Sequence, residues 1–271
     1  MRPSNADVID CARRLHAAWS TAEVRVDGYL SGGYSHDNFR LTVDGHAFVL
    51  RYGVVAAPNH RYDEELTLWR RLPEGSAPEL IAFDADTGAM LTRWVEGDLL
   101  ADRRVSVDEL ARYLHQLHNT IPTISWRYDL ASRVDAWLGA RAGYRAVDAA
   151  RTLVADSDDA RMRACHNDLN PWNIITSGSG WITLDWEMTG RNDPLFDVVA
   201  LGFGVGLCRH DVRQLCCRYD GSVTESQLLK ADSAFWLREF AWADHFLRSR
   251  GERAEVVEQR ALALSSLEEL V

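Results

Sequence analysis

Lysine is almost absent. Lys230 is the single lysine among 30 Lys and Arg residues, so every other strong base is arginine. The first half of the chain therefore has no lysine, and any task there that needs a strong base falls to arginine. The five cysteines show no C-x-x-C spacing. An odd, scattered set excludes a disulfide framework and a structural zinc site, and Cys216-Cys217 reads as a reduced pair on a helix. The longest apolar run, Val198–Cys208, is too short to cross a bilayer. The opening MRPSNADVID lacks the basic-then-apolar pattern of a secretory leader. Repeats, low-complexity tracts and linkers are lacking too. Positive charge is outweighed: the formal net charge is −10, which excludes nucleic acid and anionic membrane as natural partners. A cytoplasmic protein, monomer or homodimer, is expected.

What remains is ordinary globular material, 46% apolar and 26% charged. The 271 residues have room for one large domain or two lobes. Residues 6–19 form an amphipathic helix, with Val8, Ala12, Leu15 and Trp19 on one side. Strands follow at 24–30, 38–43 and 47–52, a helix at 59–72, and two short strands at 79–84 and 89–95. Glu96-Gly97-Asp98 reads as a hinge, dividing the chain into 1–95 and 96–271. Beyond it the pattern is helical. Ser106 caps a helix to His118 with Glu109 at the capping-box position. Further helical stretches cover 131–154, 195–207, 211–219, 226–250 and 252–267, with Asp193 as N-cap and Pro194 at the first position of the second of these.

One stretch organises the rest, CHNDLNPWNIITSGSGWITLDWE at 165–187. Residues 173–176 and 181–184 are β-branched or apolar, and Ser177-Gly178-Ser179-Gly180 between them is turn chemistry. A symmetric hairpin sets Thr176 opposite Trp181 and Asn173 opposite Leu184. Asp185 then emerges beside Asn173, with Asp168 a few residues upstream. Two carboxylates and an amide oxygen are hard ligands of the kind Mg²⁺ takes, its other positions going to water and phosphate oxygens.

His166-x-Asp168-x-x-x-x-Asn173 followed by Asp185-Trp186-Glu187 resembles the catalytic loop and metal aspartate of the protein-kinase-like phosphotransferases. Within them it is most similar to the choline/ethanolamine/thiamine kinase branch of the aminoglycoside phosphotransferase superfamily. His166-Asn167-Asp168 is nearer that branch than the His-Gly-Asp of the aminoglycoside kinases. Leu114-His115-Gln116-Leu117-His118 is also common in the family. The resemblance implies an α+β, protein-kinase-like two-lobe fold: a small five-stranded antiparallel lobe with one helix, and a larger, mainly helical lobe.

It also implies residue roles. Asp168 is the catalytic base, and Asn173 and Asp185 bind Mg²⁺. Gly32, Gly33, Ser35 and Asn38 belong to the loop over the ATP phosphates, and Trp94 and Glu96 to the nucleotide side of the hinge. Arg51 replaces the usual phosphate-binding lysine, which a guanidinium fork does well. Glu64, in R-x-x-E with Arg61, is the residue expected to pair with Arg51, with Glu65 as the alternative. His166 and Asp197 brace the loop. Glu187 joins a second metal or the ammonium of a substrate. Trp236, Glu239 and Trp242, with Phe235 and Phe240, read either as a cation pocket or as a core stripe. Met188 stands where the family carries an aromatic, and Trp172 is the candidate replacement. The implied reaction is transfer of the γ-phosphate of ATP to a small cationic alcohol of choline, ethanolamine or thiamine type; the alternative is an aminoglycoside or other antibiotic O-phosphotransferase.

Overall fold

The computed structural model describes residues 2–31, 36–53, 61–139, 143–155, 159–178 and 180–270. In chain order the elements are α1 (Asn5–Leu15), β1 (Val24–Leu30), β2 (Asp37–Val43), β3 (His46–Tyr52), α2 (Tyr62–Trp69), β4 (Leu80–Phe83), β5 (Met90–Arg93), β6 (Asp98–Leu99), α3 (Val107–Thr120), α4 (Leu130–Leu138), α5 (Arg145–Ala155), β7 (Arg163–Cys165), β8 (Ile174–Ser177), β9 (Gly180–Thr183), β10 (Gly190–Asn192), α6 (Leu195–Gly204), α7 (Arg209–Tyr219), α8 (Glu225–Arg250) and α9 (Ala254–Glu268). They gather into two compact units. The first is Met1–Arg104 with Pro171–Glu187, the second Val105–Asn170 with Met188–Val271. The division expected at 95/96 thus falls later, and the hairpin after the H-x-D segment packs with the first unit rather than the second.

The first unit is built on an antiparallel sheet of order β1-β2-β3-β5-β4. Asp44 and Gly45, at φ 48° and 81°, close β2 onto β3, the double positive φ that a tight two-residue hairpin requires. Phe39, Leu41, Val43, Phe48, Leu50 and Leu91 point from the sheet into a core completed by Val8, Cys11 and Ala12 of α1 and by Trp19. Trp19 meets Phe48 edge-on at 4.8 Å between ring centres. The prefix helix is therefore part of this core. Ser4 caps it reciprocally with Asp7. A second, small sheet, β6-β8-β9, carries the hairpin. Its attachment is tight: Thr176 donates its hydroxyl to the Asp98 carbonyl at 3.1 Å. Gly97, at φ 151°, passes so close that a Cβ there would lie 2.5 Å from the Thr176 carbonyl oxygen. Gly97, in the segment expected as the hinge, is packed on the hairpin.

The second unit is helical except for the antiparallel pair β7–β10, in which Cys165 faces Gly190 and Arg163 faces Asn192. The capping boxes at Ser106/Glu109 and Thr224/Gln227 start α3 and α8. Asp193 starts α6, its carboxylate receiving the Leu195 N–H at 3.0 Å. The helical stretch expected over 131–154 is two helices, α4 and α5; α4 ends at Gly139, φ 63°, a conformation that favours glycine. Leu228, Leu237 and Phe240 of α8 and Leu195, Val198 and Leu201 of α6 are buried.

Candidate functional site

In the first unit the geometry begins at Arg51. Its side chain is 4% exposed, and it donates bidentately to Glu65, Nη1 to Oε1 at 2.7 Å and Nη2 to Oε2 at 2.9 Å. Nε donates to the Gly88 carbonyl at 2.9 Å. The partner is therefore Glu65, and the expected Glu64 is the wrong neighbour. On α2, Glu65 shares its inward face with Leu68 and Trp69, and the Trp69 indole N–H reaches its Oε1 at 3.3 Å. Glu64 turns to Arg61 at 2.5 Å, so the R-x-x-E spacing closes within its own helix turn. Burial opposes the charge on Arg51. Glu65, and then the nearby Glu187 and Asp185, outweigh it and raise its pKa above the ordinary arginine value.

The β8–β9 hairpin has the predicted register, Thr176 opposite Trp181, and the Leu184 N–H donates to the Asn173 carbonyl at 2.8 Å. Asn173 and Leu184 thus end paired strands, and Asp185 follows at φ 56°, a conformation rare for a non-glycine residue. Trp186 anchors the next turn, 1% exposed, its indole N–H on the Thr183 carbonyl at 3.0 Å. Glu187, expected on a metal or an ammonium, meets His36 at 2.8 Å, the two side chains 3% and 7% exposed. No spacing rule links these residues, which lie 151 apart in sequence. Trp172, beside Asn173, is 60% exposed. Asn38 lies opposite Arg51 in the β2–β3 ladder. Trp94 stacks under the Arg40 guanidinium, 4.2 Å from the ring centre, and Glu96 is exposed. Gly32, Gly33 and Ser35 lie outside the described residues. Asn173, Asp185 and Glu187 offer only hard oxygens, which fits Mg²⁺, and a buried, fixed guanidinium near them fits phosphate.

In the second unit the segment before Asp168 hangs from one carboxylate. Asp197, on the first turn of α6 and wholly buried, receives the backbone N–H of His166 at 2.7 Å and of Asn167 at 2.8 Å. It also meets Nε2 of His118 at 3.0 Å, while Nδ1 of His118 meets the Tyr219 hydroxyl at 2.8 Å. Burial pushes the Asp197 carboxyl up, but the hydrogen bond from His118 and the charges of His118 and His166 pull harder, and its pKa is lowered. Asn167 sits at φ 64°, where asparagine is better tolerated than most residues. Its amide donates to the carbonyls of Cys165, Met188 and Gly190, each at 3.1 Å, and its oxygen accepts from Asn192 at 2.8 Å. The Asp168 N–H reaches Nδ1 of His166 at 3.3 Å. The bracing expected of His166 and Asp197 is what these bonds do; Asn167 and His118 share it, visible beforehand only as family words. His118, Cys165 and Asp197 lie close enough to share a cation, within 4.8 Å. Both His118 nitrogens are already hydrogen-bonded, however, and the Cys165 thiol donates to the Arg163 and Asn192 carbonyls.

On α8 the aromatic stripe is mostly core. Trp236 is 7% exposed and packs 4.8 Å from both Phe203 and Phe235, and Phe240 is 2% exposed. Trp242 is half-buried against Phe246 at 5.4 Å. Glu239 has its two oxygens engaged by Arg238 and Gln259. Arg238 reaches on to Asp168 with its other terminal nitrogen, a contact no motif announces.

Residues 29–216 match the phosphotransferase enzyme family. Protein LicA of Haemophilus influenzae is 25% identical over 188 residues, 63% of this chain and 56% of that protein. Thiamine kinase of Shigella boydii serotype 4 is 25% identical over 178 residues, 63% of this chain and 64% of that protein. The chain thus aligns with less than two thirds of the length of either relative. The crystal structure of choline kinase LicA from Streptococcus pneumoniae superposes with a TM-score of 0.76 at 16% identity, covering 98% of this chain and all of that one. The likeness assigns the α+β, protein-kinase-like fold. With the matched stretch spanning both the Arg51 strand and the braced Asp168 segment, the chain belongs to the phosphotransferase enzyme family.

Proposed function

We propose that this protein is a small-molecule kinase, moving the γ-phosphate of ATP to a hydroxyl of a small alcohol of choline, ethanolamine or thiamine type. The observation that carries it is the hairpin register. The bond from Leu184 to Asn173 ends two paired strands in an amide and a carboxylate, five and seventeen residues after a carboxylate held in a braced loop.

In this reading Arg51, fixed by Glu65, holds nucleotide phosphate oxygens. Asn173 and Asp185 hold Mg²⁺, which neutralises charge on the phosphates when bound. Asp168 orients the acceptor hydroxyl and receives its proton. The acceptor oxygen forms its bond to the γ-phosphorus as the bond to the bridging oxygen breaks and ADP leaves. The transition state is loose, so alignment and charge matter more than strong basicity. The choline and thiamine types are supported by the names of the similar proteins.

ADP release measured across choline, ethanolamine, thiamine and several aminoglycosides tests the reading. Release above the ATP-only background with an alcohol of the first group supports it; background rates throughout refute it. Asp168→Asn abolishes transfer and leaves ATP binding largely intact, and a near-normal rate removes Asp168 as the base.

A further inference from the structure

Arg238 has no part in the chemistry just described, yet it touches the residue assigned as base. One terminal nitrogen lies on Oδ1 of Asp168 and the other on Oε1 of Glu239. The second Glu239 oxygen accepts from Gln259. The three charged side chains are 20%, 17% and 12% exposed in the order Asp168, Arg238, Glu239. Behind them lies Tyr128, 6% exposed, its phenol pushed up by burial and pulled back by Arg238. Burial opposes the guanidinium's charge, but Asp168 and Glu239 more than offset it, so Arg238 stays a cation.

The charges decide what an acceptor meets here. Two carboxylates and one guanidinium leave this cluster at −1, where Asp168 and Glu239 alone would carry −2, so a guanidinium that remains in place weakens the pull on any cation that approaches Asp168. Between partly buried groups such a charge is screened far less than at the surface. Glu239, the carboxylate that a cation pocket on α8 needs, already has both oxygens occupied. We propose that Arg238 is a specificity-determining residue: it supplies from the protein the cation that pairs with Asp168 and Glu239, and so selects alcohols with no permanent positive charge close to the reacting hydroxyl. Choline, with its quaternary nitrogen on a short arm from the hydroxyl, is disfavoured. An alcohol whose charge is remote and delocalised, as on the ring of thiamine, or one with no charge, is preferred. The inference rests on the kinase reading, since it needs the acceptor hydroxyl at Asp168.

The test compares choline with its carbon isostere 3,3-dimethylbutan-1-ol, which has the same shape and no charge. In the wild type the isostere binds at least as tightly as choline by calorimetry and is the better acceptor in kcat/KM. Arg238→Met and Arg238→Gln raise the choline-to-isostere ratio of kcat/KM by about tenfold or more, whereas Arg238→Lys, which keeps the charge, leaves it near the wild-type value. Gln retains a donor toward Asp168, so it serves if melting curves show the Met variant to be unfolded. A wild type that binds choline more tightly than the isostere overturns the proposal, and so does a ratio unmoved by folded Met or Gln variants. Failure of every alcohol to release ADP is a different result and sinks the kinase reading itself.

Discussion

Replacing Asp197 by asparagine keeps the shape of the side chain and removes its charge and one acceptor. In the native protein this carboxylate takes two backbone N–H groups, at 2.7 and 2.8 Å, and Nε2 of His118 at 3.0 Å. Asparagine has one oxygen to offer, so at least one of these donors is left facing an NH₂ group. A buried donor without a partner costs about 1–3 kcal/mol, and a lost charge-assisted bond about 1.5–3 kcal/mol. Together these come to about 2.5–6 kcal/mol, which brackets the usual cost of breaking a buried charged pair and is a large part of the about 5–15 kcal/mol that holds a typical domain. Urea unfolding of the variant, followed by tryptophan fluorescence, should show a midpoint lower by about 1–3 M for an m-value of about 2–3 kcal/mol/M. A fall of less than about 0.3 M refutes the claim that the loop hangs from this carboxylate.

The same residue sets a pH dependence. Its pKa is lower folded than unfolded, so it contributes stability above the ordinary carboxylate value of 3.8, and that stability is lost as pH falls through the folded value. In Asp197→Asn this acid loss disappears from the stability profile. The bonded N–H groups belong to His166 and Asn167, directly before Asp168, so the variant that remains folded loses kcat for transfer more than it loses ATP affinity.

Two other substitutions test neighbouring claims. Glu65→Gln leaves the buried Arg51 with half its partner; it destabilises by about 3–5 kcal/mol and raises KM for ATP, while Glu64→Gln, which loses only a pair with the exposed Arg61, changes stability by less than about 1 kcal/mol, and equal effects in denaturant titrations would restore Glu64 as partner. Gly97→Ala forces a Cβ to 2.5 Å from the Thr176 carbonyl oxygen and to 2.7 Å from Ile175 at a φ of 151°; the cost is about 2–4 kcal/mol, read as a lower melting temperature, and a melt within error of the wild type contradicts the packing of this residue on the hairpin.

Much of the fold was legible because its signals are local. The alternation over Val24–Leu30 and the turn chemistry of Ser177–Gly180 each fix a strand or a register without help from distant residues, and β1 and the β8–β9 pairing match their expected positions. The capping box at Ser106 likewise needs four consecutive residues. What was illegible is pairing at a distance. Glu64 and Glu65 are adjacent acids on one helix, and the R-x-x-E spacing pointed to Glu64, whereas the inward face that carries Leu68 and Trp69 takes Glu65 with it. A rotation of about 100° per residue separates the two outcomes. His36 with Glu187, and Arg238 with Asp168, join residues 151 and 70 apart in the chain, and no period or cap relates them.

The substrate-binding charge is the sharpest case. A net charge of −10 is a property of the whole surface, and it governs how the molecule meets distant ions. Acceptance of a ligand is decided by the few groups that a ligand displaces water from. There Asp168 and Glu239 share the guanidinium of Arg238, two carboxylates to one cation. The helix that resembled a cation pocket supplies Trp236 to the core and an arginine to the carboxylates. In an acidic chain one guanidinium thus lowers the charge of this cluster from −2 to −1. The relatives' names alone cannot choose between a quaternary ammonium close to the hydroxyl and a charge held further away, whereas the role proposed for Arg238 makes that choice testable.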